Sequence, residues 1–103
     1  MKTIMVVDDE TSILEQVKSC LEDDDFEVVT VDNSRKALEL MEGDREDSFG
    51  LILIDTLMPN SNKPAFFSMK PKSKKNIDTS KEEDFLLKPF TKEQLLDFVK
   101  RKI

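Results

Sequence analysis

The sequence predicts one α/β domain on an open, parallel, doubly wound sheet, and three observations predict it. Ile4-Met5-Val6-Val7, Leu51-Ile52-Leu53-Ile54 and Phe85-Leu86-Leu87 are unbroken apolar runs, the pattern of strands buried on both faces. Helical spacing follows the first run, precedes the second and follows the third, a β-α-β rhythm that implies right-handed crossovers. Each run also stops abruptly on charge, at Asp8-Asp9-Glu10, at Asp55 and at Lys88. In such a sheet the carboxyl ends of the strands open on the crevice where ligands bind.

Lys2 to Val7 reads as the first strand. Ser12-Ile13-Leu14-Glu15 fits a capping box, opening a helix with Ile13, Leu14, Val17 and Leu21 on one face. The acids from Glu22 to Asp25 are unfavourable at a helix C-terminus and end it there. Phe26 to Val31 is β-branched and reads as the second strand. Asn33 or Ser34 caps a helix over 34–42, with Ala37, Leu38 and Met41 inward and Gly43 beyond its end. A polar loop over 44–48 leads to the central strand, which Pro59 keeps from continuing. Thr91-Lys92-Glu93-Gln94 is a second capping box. In the helix after it Leu95, Phe98 and Val99 face inward, and Lys100, Arg101 and Lys102 suit the negative end of the dipole.

With 103 residues the chain can build one small core. It has no histidine, which excludes Ser-His-Asp, Cys-His and internal phosphohistidine chemistry. Cys20 stands alone, which excludes an internal disulfide and a cysteine zinc site, and it reads as a small buried hydrophobe. No signal peptide, transmembrane run or lipidation motif is visible, so a soluble, cytoplasmic domain is expected. The net charge of −6 is uneven: residues 1–59 carry 5 basic and 16 acidic side chains, residues 60–103 carry 11 and 6. The acidic half argues against nucleic acid as a partner. Lys70, Lys72, Lys74 and Lys75 lack interleaved aromatics and read as a solvated loop.

If the first and central strands are parallel neighbours, Asp8, Asp9 and Asp55 converge at one sheet edge. Carboxylates that close raise one another's pKa unless a cation sits among them. Hard oxygen donors, with no histidine or thiol nearby, favour Mg²⁺ over zinc. A lone strand-end aspartate more often caps a turn. Asp55 stands apart because a second strand ends in acids and a third ends in Lys88, which a cis Lys88–Pro89 bond would aim.

Val6-Val7-Asp8-Asp9-Glu10, Ile54-Asp55-Thr56-Leu57-Met58-Pro59 and Leu87-Lys88-Pro89-Phe90, in that order, resemble the receiver domain of two-component response regulators. The resemblance implies a single receiver domain over 1–103, flavodoxin-like, with strand order 2-1-3-4-5. It implies Asp55 as the phosphoryl acceptor. Mg²⁺ would be held by Asp8, Asp9, Asp55 and the backbone carbonyl of Leu57, and Lys88 would contact the phosphoryl oxygens. The implied donor is a sensor histidine kinase or phosphotransfer protein, and the implied reader is a downstream protein partner. No turnover enzyme, membrane segment or DNA-binding output domain is expected in the chain.

The pattern breaks between Asp55 and Lys88. Only 32 residues separate them, too few for the helix, strand and helix of a full-length receiver. In one reading Ala65-Phe66-Phe67-Ser68-Met69 is the fourth strand and Ser68 the switch hydroxyl. The charged stretch after that strand then resembles receivers of archaeal type, with a short fourth helix capped by Thr79 or Ser80. Residues 56–64 must then recross the sheet without a helix, although a parallel crossover usually takes a dozen residues or more. In the other reading 64–70 is a helix, Ile77-Asp78-Thr79 the strand and Thr79 the hydroxyl. The first is favoured, because an acid in a central strand is poor β material. Met69 is large where the family has a small residue after the hydroxyl.

Phe85 stands where many receivers carry an aromatic that rotates on phosphorylation, though an ordinary core phenylalanine fits equally. With outer helices short or missing, Phe66 or Phe67 and Ile52 or Ile54 are expected to lie bare, which predicts cover by a homodimer or a partner. One rival is a degenerate receiver that binds its partner without phosphorylation, which the shortened middle favours. Another is a Mg²⁺-dependent phosphatase with an aspartyl nucleophile, opposed by Leu57 where a second acid is needed. A nucleotide-binding relative is weakest, since neither Gly43 nor Gly50 forms a phosphate-cradling loop.

Overall fold

The structure is a computed structural model that describes residues 3–42, 49–58, 61–70 and 82–103. Its elements are β1 (Thr3–Val7), α1 (Thr11–Glu22), β2 (Glu27–Val31), α2 (Ser34–Glu42), β3 (Phe49–Leu57) and β4 (Pro64–Met69), then a single 3₁₀ turn (Glu82–Asp84), β5 (Phe85–Leu87) and α3 (Lys92–Lys102). The described strands form one sheet in the order β2-β1-β3-β4-β5. That order is the expected one.

The strand directions correct the all-parallel expectation. β1 pairs parallel with β2 and β3, but β3–β4 and β4–β5 are antiparallel. The reading of Ala65 to Met69 as a strand holds, and the helix over 64–70 does not form. The reason is chain length. Nine residues cannot make a helical crossover but easily make a hairpin. The hairpin closes with the Met58 N–H donating to the Lys63 carbonyl at 2.8 Å. Asn62 takes a positive φ of 55° there, a conformation asparagine tolerates better than most residues. β5, antiparallel to an antiparallel strand, again runs with β3, so its carboxyl end returns to the edge where β1 and β3 end.

One helix start differs in detail from the sequence reading. α1 begins at Thr11 with Glu10 as an extended N-cap and no side-chain cap, so Ser12 lies inside the first turn and builds no capping box. Asn33 caps α2, its Oδ1 accepting from the Lys36 N–H at 2.9 Å. In α2, Ala37 is buried but Leu38 is 54 % exposed, outward rather than inward, and the Met41 side chain lies outside the described residues. The Thr91–Gln94 capping box forms as expected. α1 ends where the acids begin. Asp25 at φ 66° and the Phe26 N–H on the Leu21 carbonyl reverse the chain as a Schellman motif.

Both sheet faces carry a core. On one, α1 and α3 pack Leu14, Val17, Leu95, Phe98 and Val99 on Ile4, Val6, Leu51, Leu53 and Phe66, with half-buried Cys20 against them. On the other, α2 packs Ala37 and Leu40 near Met5, Val31, Ile52 and Met69. Phe66 and Ile52 are therefore wholly buried, against the expectation that they lie bare, while Phe67 and Ile54 remain partly open. Phe66 is covered because hairpin pairing puts it opposite Asp55, on the face that α3 and Phe90 close.

A disulfide tests the hairpin. Leu57 and Pro64 are paired neighbours and exposed, at the separation a disulfide bridges. Leu57→Cys with Pro64→Cys is expected to oxidise to an intramolecular disulfide, with the native circular dichroism retained. A β4 parallel to β3 would keep the two thiols apart, and they would stay reactive to alkylation.

Candidate functional site

Three strand ends build one polar group. β1 delivers Asp8, whose N–H continues the ladder by donating to the Val31 carbonyl at 3.1 Å. Its side chain is buried under the sheet edge, and Oδ1 accepts from the Glu10 N–H at 2.9 Å. Extended Glu10 thus serves the aspartate with its N–H and starts α1 with its carbonyl, which accepts from Ile13 and Leu14. β3 delivers Asp55, on the same face as Leu53. β5 delivers Lys88, its backbone N–H fixed to the Pro64 carbonyl at 3.0 Å. The Lys88–Pro89 bond is cis.

The Lys88 ammonium joins the two acids, Nζ donating to Asp8 Oδ2 at 2.6 Å and to Asp55 Oδ1 at 2.7 Å. Burial alone pulls its pKa down, but the hydrogen bonds to Asp55 and Asp8 and the charges of both carboxylates outweigh that and hold it above the ordinary 10.5. Asp8, Asp9 and Asp55 each offer an oxygen within 4.8 Å of the others, a hard-donor set that fits a small divalent cation. The repulsion expected among these acids is therefore already relieved in part, by a cation the chain carries itself. Beside the group lies an open cleft of about 530 Å³, with Glu10, Ile13, Leu57 and Pro89 in its walls.

Other expected site residues fall differently. Ser68 is not brought here. It pairs with Leu53, two residues back from Asp55, and its hydroxyl donates to the Asp84 carbonyl at 3.1 Å. The antiparallel run of β4 carries its C-terminal end away from the acidic edge. Thr79, the alternative hydroxyl, lies outside the described residues. Phe85 pairs with Phe67, the rings 5.2 Å apart, on the face opposite Asp55. The Leu57 carbonyl is available: Met58 and Lys63 are a hydrogen-bonded pair, so ladder alternation turns it away from β4, towards β1. Sequence reasoning missed Phe66, whose ring lies under the Lys88 ammonium, 4.3 Å from Nζ to centroid. The nine-residue connection was the signal that could have found it, since a hairpin would have set Phe66 opposite Asp55.

Folding stability should report the ion group. A pKa raised in the folded state stabilises fully below 10.5, and that contribution is lost as pH rises through the folded value. Urea midpoints of the metal-free protein are expected to fall over that alkaline range. Lys88→Met leaves Asp8 buried and unpaired, so it should lose up to roughly 3–5 kcal/mol at neutral pH, less what solvent screens at the Asp55 end. It should also lack the Lys88 part of the alkaline loss. Unchanged neutral stability would show that the group does not hold the sheet edge together.

Comparison with known proteins matches residues 4–69 to the family described as the response regulator receiver domain. The transcriptional regulatory protein CpxR of Escherichia coli K12, of Escherichia coli O157:H7 and of Shigella flexneri is in each case 34% identical over 62 residues. Those residues are 60% of this chain and 25% of each relative, so the chain spans about a quarter of the length of the curated relatives it matches. No solved structure matches at a significant level. Among the described residues no helix is long and apolar enough to cross a membrane. The family match stops at Met69, so Lys88 lies beyond it, and its contacts with Asp8 and Asp55 place it at the site.

Proposed function

The chain belongs to the response regulator receiver domains, and on that premise we propose that Asp55 accepts a phosphoryl group from the phosphohistidine of a partner kinase or phosphotransfer protein. The observation that carries this reading is the meeting of Asp8, Asp9, Asp55 and Lys88 at one sheet edge. An Asp55 oxygen, set at the strand end beside an open cleft, attacks phosphorus in line. The O–P bond forms as the P–N bond breaks, and the electron pair leaves with the imidazole nitrogen. Lys88 stabilises charge on the phosphoryl oxygens from a position fixed before reaction. Asp8, Asp9 and Asp55, with the Leu57 carbonyl, are the groups that would hold Mg²⁺, which when bound supplies further positive charge to those oxygens. The domain modifies only itself, and a downstream protein reads the change.

One observation favours the second reading, a receiver that binds without phosphorylation. The Ser68 hydroxyl is engaged by the Asp84 carbonyl rather than directed at Asp55. Labelling decides between the two. Acetyl phosphate with Mg²⁺ is expected to add one phosphoryl mass to the intact chain, and none without metal or in Asp55→Asn. Asp9→Asn should bind Mg²⁺ more weakly by titration and label more slowly. Equal labelling of Asp55→Asn would remove the acceptor assignment, and no labelling of the unaltered chain would leave the binding module.

A further inference from the structure

Phe66 has no part in those steps, yet its ring faces the charge on which they depend. β5 stands two strands from β3, roughly 10 Å at ordinary strand spacing. The Lys88 stem must therefore lie across β4 to reach Asp55. Phe66 is the β4 residue beneath it: paired with Asp55 on one side and Leu86 on the other, on the face all three share. Nζ sits 4.3 Å from the ring centroid, and the ring is 0% exposed. A cation over an aromatic face is attracted by the ring quadrupole, more strongly where water is excluded. Phe90, two residues after Lys88, braces the ring at 5.9 Å and 49°. The pairing of Lys102 with Phe98, at 5.9 Å, is looser.

We propose that Phe66 is a positioning residue for Lys88, a shelf that keeps the ammonium at the mouth of the Asp8–Asp55 pair when those carboxylates are engaged elsewhere. The inference rests on the reading of Lys88 as the phosphoryl contact. A divalent cation on Asp8 and Asp55 would take the acceptors that now hold the ammonium and would repel it. A lysine on its flexible four-carbon stem would then swing to solvent. The ring face stays in place because its attraction does not depend on the carboxylates. The ordinary alternative is a core phenylalanine that only fills space, for which volume matters and ring charge does not.

Fluorination separates the two. In the full chain, Phe66 is replaced by 4-fluoro-, 3,5-difluoro- and 3,4,5-trifluorophenylalanine, which drain the ring face stepwise at nearly constant volume. At saturating Mg²⁺, the rate of Asp55 labelling by acetyl phosphate is expected to fall stepwise, by ~2- to 30-fold in all, tracking cation–π strength. The same series at Phe49, buried in the core of the other sheet face, should leave the rate unchanged, and in a Lys88→Met background the Phe66 series should be flat. NMR of the metal-free protein gives a readout free of phosphorylation: Lys88 side-chain protons should be shifted upfield by the ring and lose that shift in Phe66→Leu. A flat series in chains that label normally, a slope that survives Lys88→Met, or an unshifted Lys88 overturns the role of Phe66. No labelling of the unaltered chain overturns the reading of Asp55 instead, and the ring shift alone then decides Phe66.

Discussion

The Lys88 ammonium, held at 2.6 and 2.7 Å by carboxylates from two other strands, is the contact on which the edge of the sheet depends. Asp8 is almost wholly buried, and a buried carboxylate is stable as an anion only with a partner and hydrogen bonds. It has both, from Lys88 and from the Glu10 N–H. Asp55, 35% exposed at its side chain, is screened by water and needs the lysine less. The pair is thus unequal. Asp8 lies beneath the sheet edge, while Asp55 lines the cleft. That division suits the acceptor role proposed for Asp55, whose charge and geometry would change in reaction.

The direction of β4 is the second constraint. Joining β3 to a neighbouring parallel strand takes a crossover longer than the nine residues between Asp55 and Ala65, and a hairpin removes that demand. Reversal exchanges the residues at the acidic edge. The end bearing Ser68 and Met69 moves down the sheet, and the end bearing Pro64 and Phe66 takes its place. An aromatic face stands where a hydroxyl was expected. β5 is reversed in turn, and the two reversals cancel. Lys88 therefore returns to the carboxyl edge despite the missing crossover helix.

Much of this was legible in the sequence for definite reasons. Apolar runs ending in Asp8, Asp55 and Lys88 fix which strand ends carry charge, and strand order follows from the receiver resemblance that those strand ends carry. The direction of β4 was not legible from its own residues, because Ala65 to Met69 reads as a strand whichever way it runs. Only the connection length carried that information, and it registered as a conflict with a parallel sheet instead of as a hairpin. Leu38 was misplaced because α2 is nine residues long, too short for a pattern of three apolar positions to fix the inward face. Ser12 was misplaced because a capping-box pattern also fits when the backbone of Glu10 has already begun the helix. Lys88 was found as a charge, but its tie to both aspartates needed coordinates.

β4 also links the site to the turn that precedes β5. On the face of Asp55 it presents Phe66 to the Lys88 ammonium and, two residues later, Ser68 to the Asp84 carbonyl. The Asp84 carboxylate accepts from Lys102 Nζ at 2.9 Å, in the last turn of α3, where a cation also suits the helix dipole. One short strand therefore touches the lysine at the acidic edge and, some 7 Å along, a turn clamped by the C-terminal helix. Both flanks of β4 are hydrogen-bonded, to β3 and to β5, so it cannot shift at one end alone without breaking a ladder. A hydroxyl that binds at the far end cannot also close on Asp55. What the strand carries to the acidic edge is therefore the ring of Phe66.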